Sequence, residues 1–172
     1  PTVGGIQEHI LHQATYLRSR GHDVRIVTGM PKVDTWAGPR DPDWVVRIGR
    51  SVRYGVMGTY TLATLDPLSA RRLSRLFTAE KFDLIHVHGP FDLGLPMLAY
   101  HLFRGPKVAT LHSAFEHSWG RTLMAPWLRH VLHRTDAVIA VSPLAASTIG
   151  RYARFDHTII PNGVNVATFA AG

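Results

Sequence analysis

Apolar positions along this chain recur with two different periods, and the alternation between them lays out the fold. Ile6, Ile10, Ala14 and Leu17 fall three or four apart, the period of a helix with one buried face, and Gly21 stops it. Val24-Arg25-Ile26-Val27-Thr28 reads as a strand, the Pro- and Gly-rich run 29–43 as a loop, and Trp44 to Ile48 as a second strand. Residues 49–60 carry no decisive period. Asp66-Pro67 opens a helix to about Ala79, with Leu73, Leu76 and Phe77 facing inward. Phe82-Asp83-Leu84-Ile85-His86-Val87-His88 is an apolar run stopped by Gly89-Pro90, as expected of a strand buried on both faces. Asp92 can cap a helix from Leu93 to Phe103, and Lys107 to Ser113 forms the next strand. A strand, helix and strand packed this closely form a βαβ unit, so the two strands are parallel neighbours with a right-handed crossover. Further on, 114–120 reads as a loop and Thr122 to His133 as a helix despite Pro126. Ala137 to Val141 is a strand, Leu144 to Tyr152 a helix, and His157 to Ile160 a short last strand before the turn at Pro161-Asn162-Gly163.

Six strands alternating with helices predict an α/β fold: a doubly wound, mostly parallel, Rossmann-like sheet. The first helix is opened by Gly4-Gly5 with no strand before it. In such a sheet the strand preceding that loop is central. The expectation is therefore a sequence that lacks its first strand and leaves two strand edges without partners.

At 172 residues the chain fits a single domain, and no repeat or composition shift marks a second one. No run approaches the roughly 18 apolar residues of a membrane span, and the expected location is the cytoplasm. With no cysteine, disulfides and thiolate metal sites are excluded. The net charge of +7 calls for a polyanionic neighbour: nucleic acid, anionic lipid or a phosphorylated ligand. Arg71, Arg72 and Arg75 form a cationic stripe on the outer face of their helix, by default a solvated face and in the sharper reading a dock for the inner membrane surface. A basic nucleotide- or nucleic-acid-binding module without catalysis is the competing reading. Against it, aromatic and basic residues are not interleaved as base stacking requires. A nicotinamide site is also disfavoured, since Gly4-Gly5-Ile6-Gln7 lacks the Gly-x-Gly-x-x-Gly spacing.

Candidate chemistry gathers where a parallel sheet binds ligands, beyond the carboxyl ends of its strands. His88 and His112 stand there. Gly4 and Gly5 leave backbone N–H groups uncovered at the positive end of a helix, a geometry suited to phosphate. His86 and His88 with His112 as a third ligand are conceivable as a chelate. The plainer reading is a core His86 and a strand-end His88, and no metal is expected. His9 and His12 read as solvated or packing residues of the first helix.

Six stretches, in order, resemble the amino-terminal domain of GT-B glycosyltransferases of family 4, the large retaining family. They are Gly4-Gly5-Ile6-Gln7-Glu8-His9, Gly21-His22-Asp23-Val24, Phe82 to His88, Ala109-Thr110-Leu111-His112-Ser113, Ile139-Ala140-Val141-Ser142 and Ile160-Pro161-Asn162-Gly163-Val164-Asn165. Within the family the chain looks closest to bacterial phosphatidylinositol mannosyltransferases. The resemblance implies one half of a two-domain enzyme that moves a sugar from a GDP- or UDP-sugar to a hydroxyl on a lipid or small-molecule acceptor. The donor-binding carboxyl-terminal domain would be absent, with its Glu-x7-Glu motif. Glu8, Glu80 and Glu116 have Tyr16, His88 and Met124 eight residues on, so this stretch does not hold that motif, and alone it is expected to be inactive. By position, Gly4 and Gly5 would approach the donor diphosphate and His112 would orient the transferred sugar. Gln7, Ser113 and His117 would meet the acceptor, and Asn162-Gly163 would line the cleft near the hinge. No metal or other cofactor is expected beyond a nucleotide-sugar co-substrate. Close members carry Asn-Gly-Ser-Val where Gly49-Arg50-Ser51-Val52 stands here, and a lysine where His117 stands. Both departures are on the acceptor side, so the resemblance implies the reaction class and leaves the acceptor open.

Overall fold

The structure, a computed structural model, describes residues 5–30, 41–56, 59–64, 66–112 and 122–163. In chain order they form α1 (Gly5–Ser19), β1 (Ile26–Met30), β2 (Val45–Val56), β3 (Thr59–Thr64), α2 (Pro67–Glu80) and β4 (Ile85–His88). Then come α3 (Leu95–Leu102), β5 (Lys107–Leu111), α4 (Ala125–His133), β6 (Ala137–Ala140), α5 (Pro143–Gly150) and β7 (Thr158–Ile159). The α/β class and mostly parallel pairing are as the sequence predicts.

Strands β4-β5-β6-β7 lie side by side in that order, all parallel. β1 and β2 are parallel, while β2 and β3 form an antiparallel hairpin. The hairpin adds a strand to the six expected. Its period was hidden because β2 serves two ladders. A bulge separates them, Thr28 pairing Arg47 and Met30 pairing Arg50, and Gly49 sits in it at φ +68°. The phase of burial changes across the bulge: Ile48 is buried whereas Val52 is 53 % exposed. Gly49 is also hemmed in by Thr64, Asp66 and Ser69, so both its φ and its space require glycine.

β1 and β4 each end their sheet, and no ladder joins them among the described residues. The two sheets are held together by α2 and α3 instead. Ile48, Leu73 and Leu95 form a core with Val27, Val46, Leu76, Phe77 and Leu98 packed around it. A second core (Leu111, Leu132, Val138, Ala140, Ala146 and Ile149) clamps α4 and α5 onto β5 and β6. Burying each Leu, Ile or Val among them contributes about 1.5–3 kcal/mol.

Local signals set the helix ends. Asp66 caps α2, its Oδ1 accepting from the Ser69 N–H at 2.9 Å and its Oδ2 from the Ser69 hydroxyl at 2.6 Å. Ser142 caps α5 by accepting from the Ala145 N–H at 3.1 Å. Asp92 does not cap α3. That helix starts two residues later than expected, with Gly94 at its N-cap and no side-chain cap bond. Gly94 has φ +99°, and a Cβ there would fall 2.6 Å from the Thr64 backbone nitrogen. The close approach of this turn to β3 therefore decides where α3 begins.

Candidate functional site

The parallel register of β4 and β5 pairs His86 with Val108 and His88 with Thr110, so the two strands reach the carboxyl edge together. His86 and His88, two apart on one strand, share a face, and their rings stack at 4.3 Å between centroids. His112, one residue beyond β5, reaches across so that its Nε2 lies 2.8 Å from His88 Nδ1. His86 turns its Nε2 to the buried Thr110 hydroxyl at 2.7 Å. α1 brings a fourth imidazole: the His9 ring lies edge-on to His88 at 6.0 Å and to His112 at 5.6 Å.

These rings are half-buried and surrounded by one another. Burial first, and then repulsion from neighbouring imidazoles, pushes His86 and His112 down to about 4 and His88 to about 2. His9 is lowered by burial and by His12. The cluster is therefore neutral at pH 7, offering hydrogen-bonding nitrogens without net charge. His112 Nδ1 is buried and has no partner among the described residues.

Gly5 lies one turn before His9 on α1, hence on the same helical face and about 6 Å along the axis. A Cβ added to Gly5 would meet nothing within 4 Å. The fold does not need glycine there, and the free N–H groups of the first turn are open to a ligand. Gln7 is exposed in that same turn. Asn162 and Gly163 are exposed just past β7, on the carboxyl edge of the same sheet and two strands from His112. Gly4, Ser113 and His117 lie outside the described residues.

Arg71, Arg72 and Arg75 are exposed on α2 and enter no ion pair among the described residues. Arg71 and Arg75 line a shallow depression of about 430 Å³ with Ser74, Thr78 and Ala79. Among the described residues no set of three His, Asp or Glu side chains has metal-holding geometry. Stacking explains this for the strand histidines, since parallel rings aim their lone pairs alongside one another rather than at a common point.

Two residues outside the expected set belong to this edge. His9 shares a helical face with Gly5, a relation the 3.6-residue period already contains. Asp92 folds back over Gly89, which sits at φ +66° and where a Cβ would fall 2.1 Å from the Asp92 carboxylate. Although Asp92 is exposed as a residue, desolvation of its carboxyl in this return raises it to about 6. Only the Gly89-Pro90 turn hinted at this return.

A parallel α/β sheet with an uncovered helix start and a hydrogen-bonding cluster at its carboxyl edge belongs to the class of open sheets that hold ligands beyond their strand ends. Within that class, residues 3–168 match the model of Glycosyltransferase Family 4, and the chain belongs to that family. It is 33 % identical over 168 residues to a phosphatidyl-myo-inositol mannosyltransferase of Mycolicibacterium smegmatis, covering 97 % of this chain and 42 % of the relative. A protein of the same name in Mycobacterium tuberculosis is 33 % identical over 170 residues, covering 98 % and 43 %. An alpha-monoglucosyldiacylglycerol synthase of Acholeplasma laidlawii is 26 % identical over 121 residues, covering 67 % and 28 %. The chain thus spans less than half the length of these curated relatives.

Proposed function

We propose that the protein transfers a hexose from a nucleotide-diphosphate sugar to a hydroxyl of a lipid acceptor, with retention at the anomeric carbon. The described chain forms the acceptor-side wall of the cleft, and a donor-binding domain completes it. One observation carries the reading: the α1 start, bare at Gly5, and the His112 imidazole share one edge, bridged by His9, whose ring lies 5.6 Å from His112. In that arrangement the diphosphate meets the free N–H groups of α1, at Gly4 and Gly5, while His112 meets a sugar hydroxyl. Gln7, Ser113 and His117 flank the acceptor, and the Asn162-Gly163 turn borders the hinge. The site's polar groups are neutral donors and acceptors, suited to orienting substrates rather than to deprotonating the acceptor. The lipid nature of the acceptor is supported by the relatives' names, a mannosyltransferase of phosphatidyl-myo-inositol and a synthase of a glucosylated diacylglycerol. It is also supported by Arg71 and Arg75 of α2, which enter no ion pair among the described residues. No helix among the described residues is long and apolar enough to cross a membrane. We therefore read the association as peripheral, on the cytoplasmic face, through Arg71, Arg72 and Arg75.

The test is sugar transfer by the full-length protein from GDP- and UDP-hexoses to lipid extracts. His112→Ala is expected to lose roughly a hundredfold in kcat/KM, the scale of a lost transition-state hydrogen bond in a shielded site. Transfer at the wild-type rate would remove His112 from the site.

A further inference from the structure

His112 touches the rest of the cluster through one nitrogen. Its Nε2 lies 2.8 Å from His88 Nδ1, while its own Nδ1 is buried and unpartnered among the described residues. Both rings are neutral, so a single proton lies between them and two arrangements exist. If His88 donates, His112 carries its proton on Nδ1, leaving a buried N–H with no acceptor. If His112 donates through Nε2, its Nδ1 keeps only a bare lone pair. Orphaned buried N–H groups are rarer than under-satisfied acceptors, because a stranded donor loses its full hydration with nothing in return. The second arrangement wins. His88 is then protonated on Nε2, which is not among the buried unpartnered atoms. No other ring of the cluster can take the place of His88. His86 spends its Nε2 on Thr110 and only stacks on His88, and His9 meets both rings edge-on.

We propose that His88 is a positioning residue for His112: its Nδ1 accepts the His112 Nε2–H, fixing ring plane and tautomer and leaving Nδ1 of His112 as the one nitrogen with a free valence for a sugar hydroxyl. The hydroxyl must therefore donate to His112, and a sugar lacking it leaves the lone pair unmet. Because that lone pair is shielded from water, a donor gains more there than at a solvated acceptor. The strand-borne His-x-His pattern then has a division of labour: His86 is tied to Thr110, and His88 serves the next strand. This inference rests on the reading of His112 as the residue that contacts the sugar.

Long-range 15N–1H correlation of the histidine rings tests it on the full-length protein without substrate. Wild type is expected to show His112 protonated on Nε2 alone. His88→Phe, which keeps a ring and removes the acceptor, should release the tautomer, so that both His112 forms are populated and the Nε2–H proton loses its hydrogen-bonded downfield shift. His88→Asn, whose amide oxygen can stand near the Nδ1 position, should restore Nε2–H. In the full-length protein, His88→Phe should lower kcat by roughly ten- to a hundredfold with donor KM little changed, and His88→Asn should recover part of the loss. Finding His112 protonated on Nδ1 in wild type, or unaltered in His88→Phe, overturns the proposal, and the wild-type spectrum decides even if His88→Phe fails to fold. Failure of the underlying reading looks different: His112→Ala would transfer sugar at the wild-type rate while the tautomer measurement came out as expected.

Discussion

A glycine without steric reason is as informative as one with it. Gly49 and Gly94 are glycine because the fold demands it, with positive φ and neighbours where a Cβ would stand. Gly5 has neither constraint on its side chain, and its Cβ would point into open space. Gly5→Ala is therefore expected to leave the chain equally stable or more stable by roughly 0.5 kcal/mol, since alanine favours helix. Affinity for a nucleoside diphosphate sugar in the full-length protein should fall about tenfold or more, because the added methyl overpacks the surface the phosphates approach. Thermal melting and donor titration read the two effects separately. A drop in melting temperature with donor affinity intact would reverse the assignment.

Among the elements, α2 separates its tasks by face. Leu73 is buried against Ile48 and Leu95, Asp66 fixes the start, and Lys81 in the left-handed region ends it. The opposite face carries Arg71 and Arg75 four residues apart, beside Ser74 and Thr78, with no carboxylate to neutralise them among the described residues. Each basic residue near an anionic bilayer contributes roughly 1 kcal/mol. Arg71→Glu/Arg75→Glu reverses two charges on an exposed face and should leave the fold unaltered while weakening binding to anionic vesicles by at least about tenfold. Sedimentation with phosphatidylglycerol vesicles measures this, and raised salt should weaken wild-type binding in the same direction. Equal sedimentation of variant and wild type would assign the stripe to solvent alone.

At the scale of the whole molecule, the histidine cluster ties stability to pH. His86 and His112 titrate at about 4 and His88 at about 2 in the folded chain, against an ordinary value of 6.5. Above 6.5 neither state binds these protons, and the neutral cluster contributes in full. As pH falls below 6.5 the unfolded chain takes up protons that the folded chain refuses, so stability is lost progressively down to about 4, with His88 continuing below that. Asp92 acts in the opposite sense. Raised to about 6, it binds its proton first in the folded state and adds stability as pH falls toward its unfolded value. With His9 also lowered, four imidazoles oppose one carboxyl, so the melting temperature should decline between pH 6.5 and 4, before the low-pH loss from Asp41 and Asp66, which are held below the usual carboxylate range. His86→Asn should flatten the decline. A melting temperature constant across that window would mean the rings protonate without resistance.

How much of this was legible follows from where the causes lie. A period of two or 3.6 residues, a capping Asp66 or Ser142, and a Gly-Pro stop are local, so the α/β alternation and most element positions could be read from the chain itself. So could the carboxyl-edge placement of His88 and His112. The second ladder of β2 escaped because Gly49 resets the phase of burial through contacts with Thr64, Asp66 and Ser69, which no local period records. The start of α3 escaped because a turn packed against β3 outweighs a capping side chain. The joining of His9, His88 and His112 escaped for the same reason: helix and strand periods place each ring on a face, but only packing sets those faces together. Sequence alone determined which residues could form each element and which edge would gather His88 and His112. Tertiary structure decided which nitrogens meet, because a hydrogen bond depends on distances of a few tenths of an ångström that only three-dimensional packing fixes.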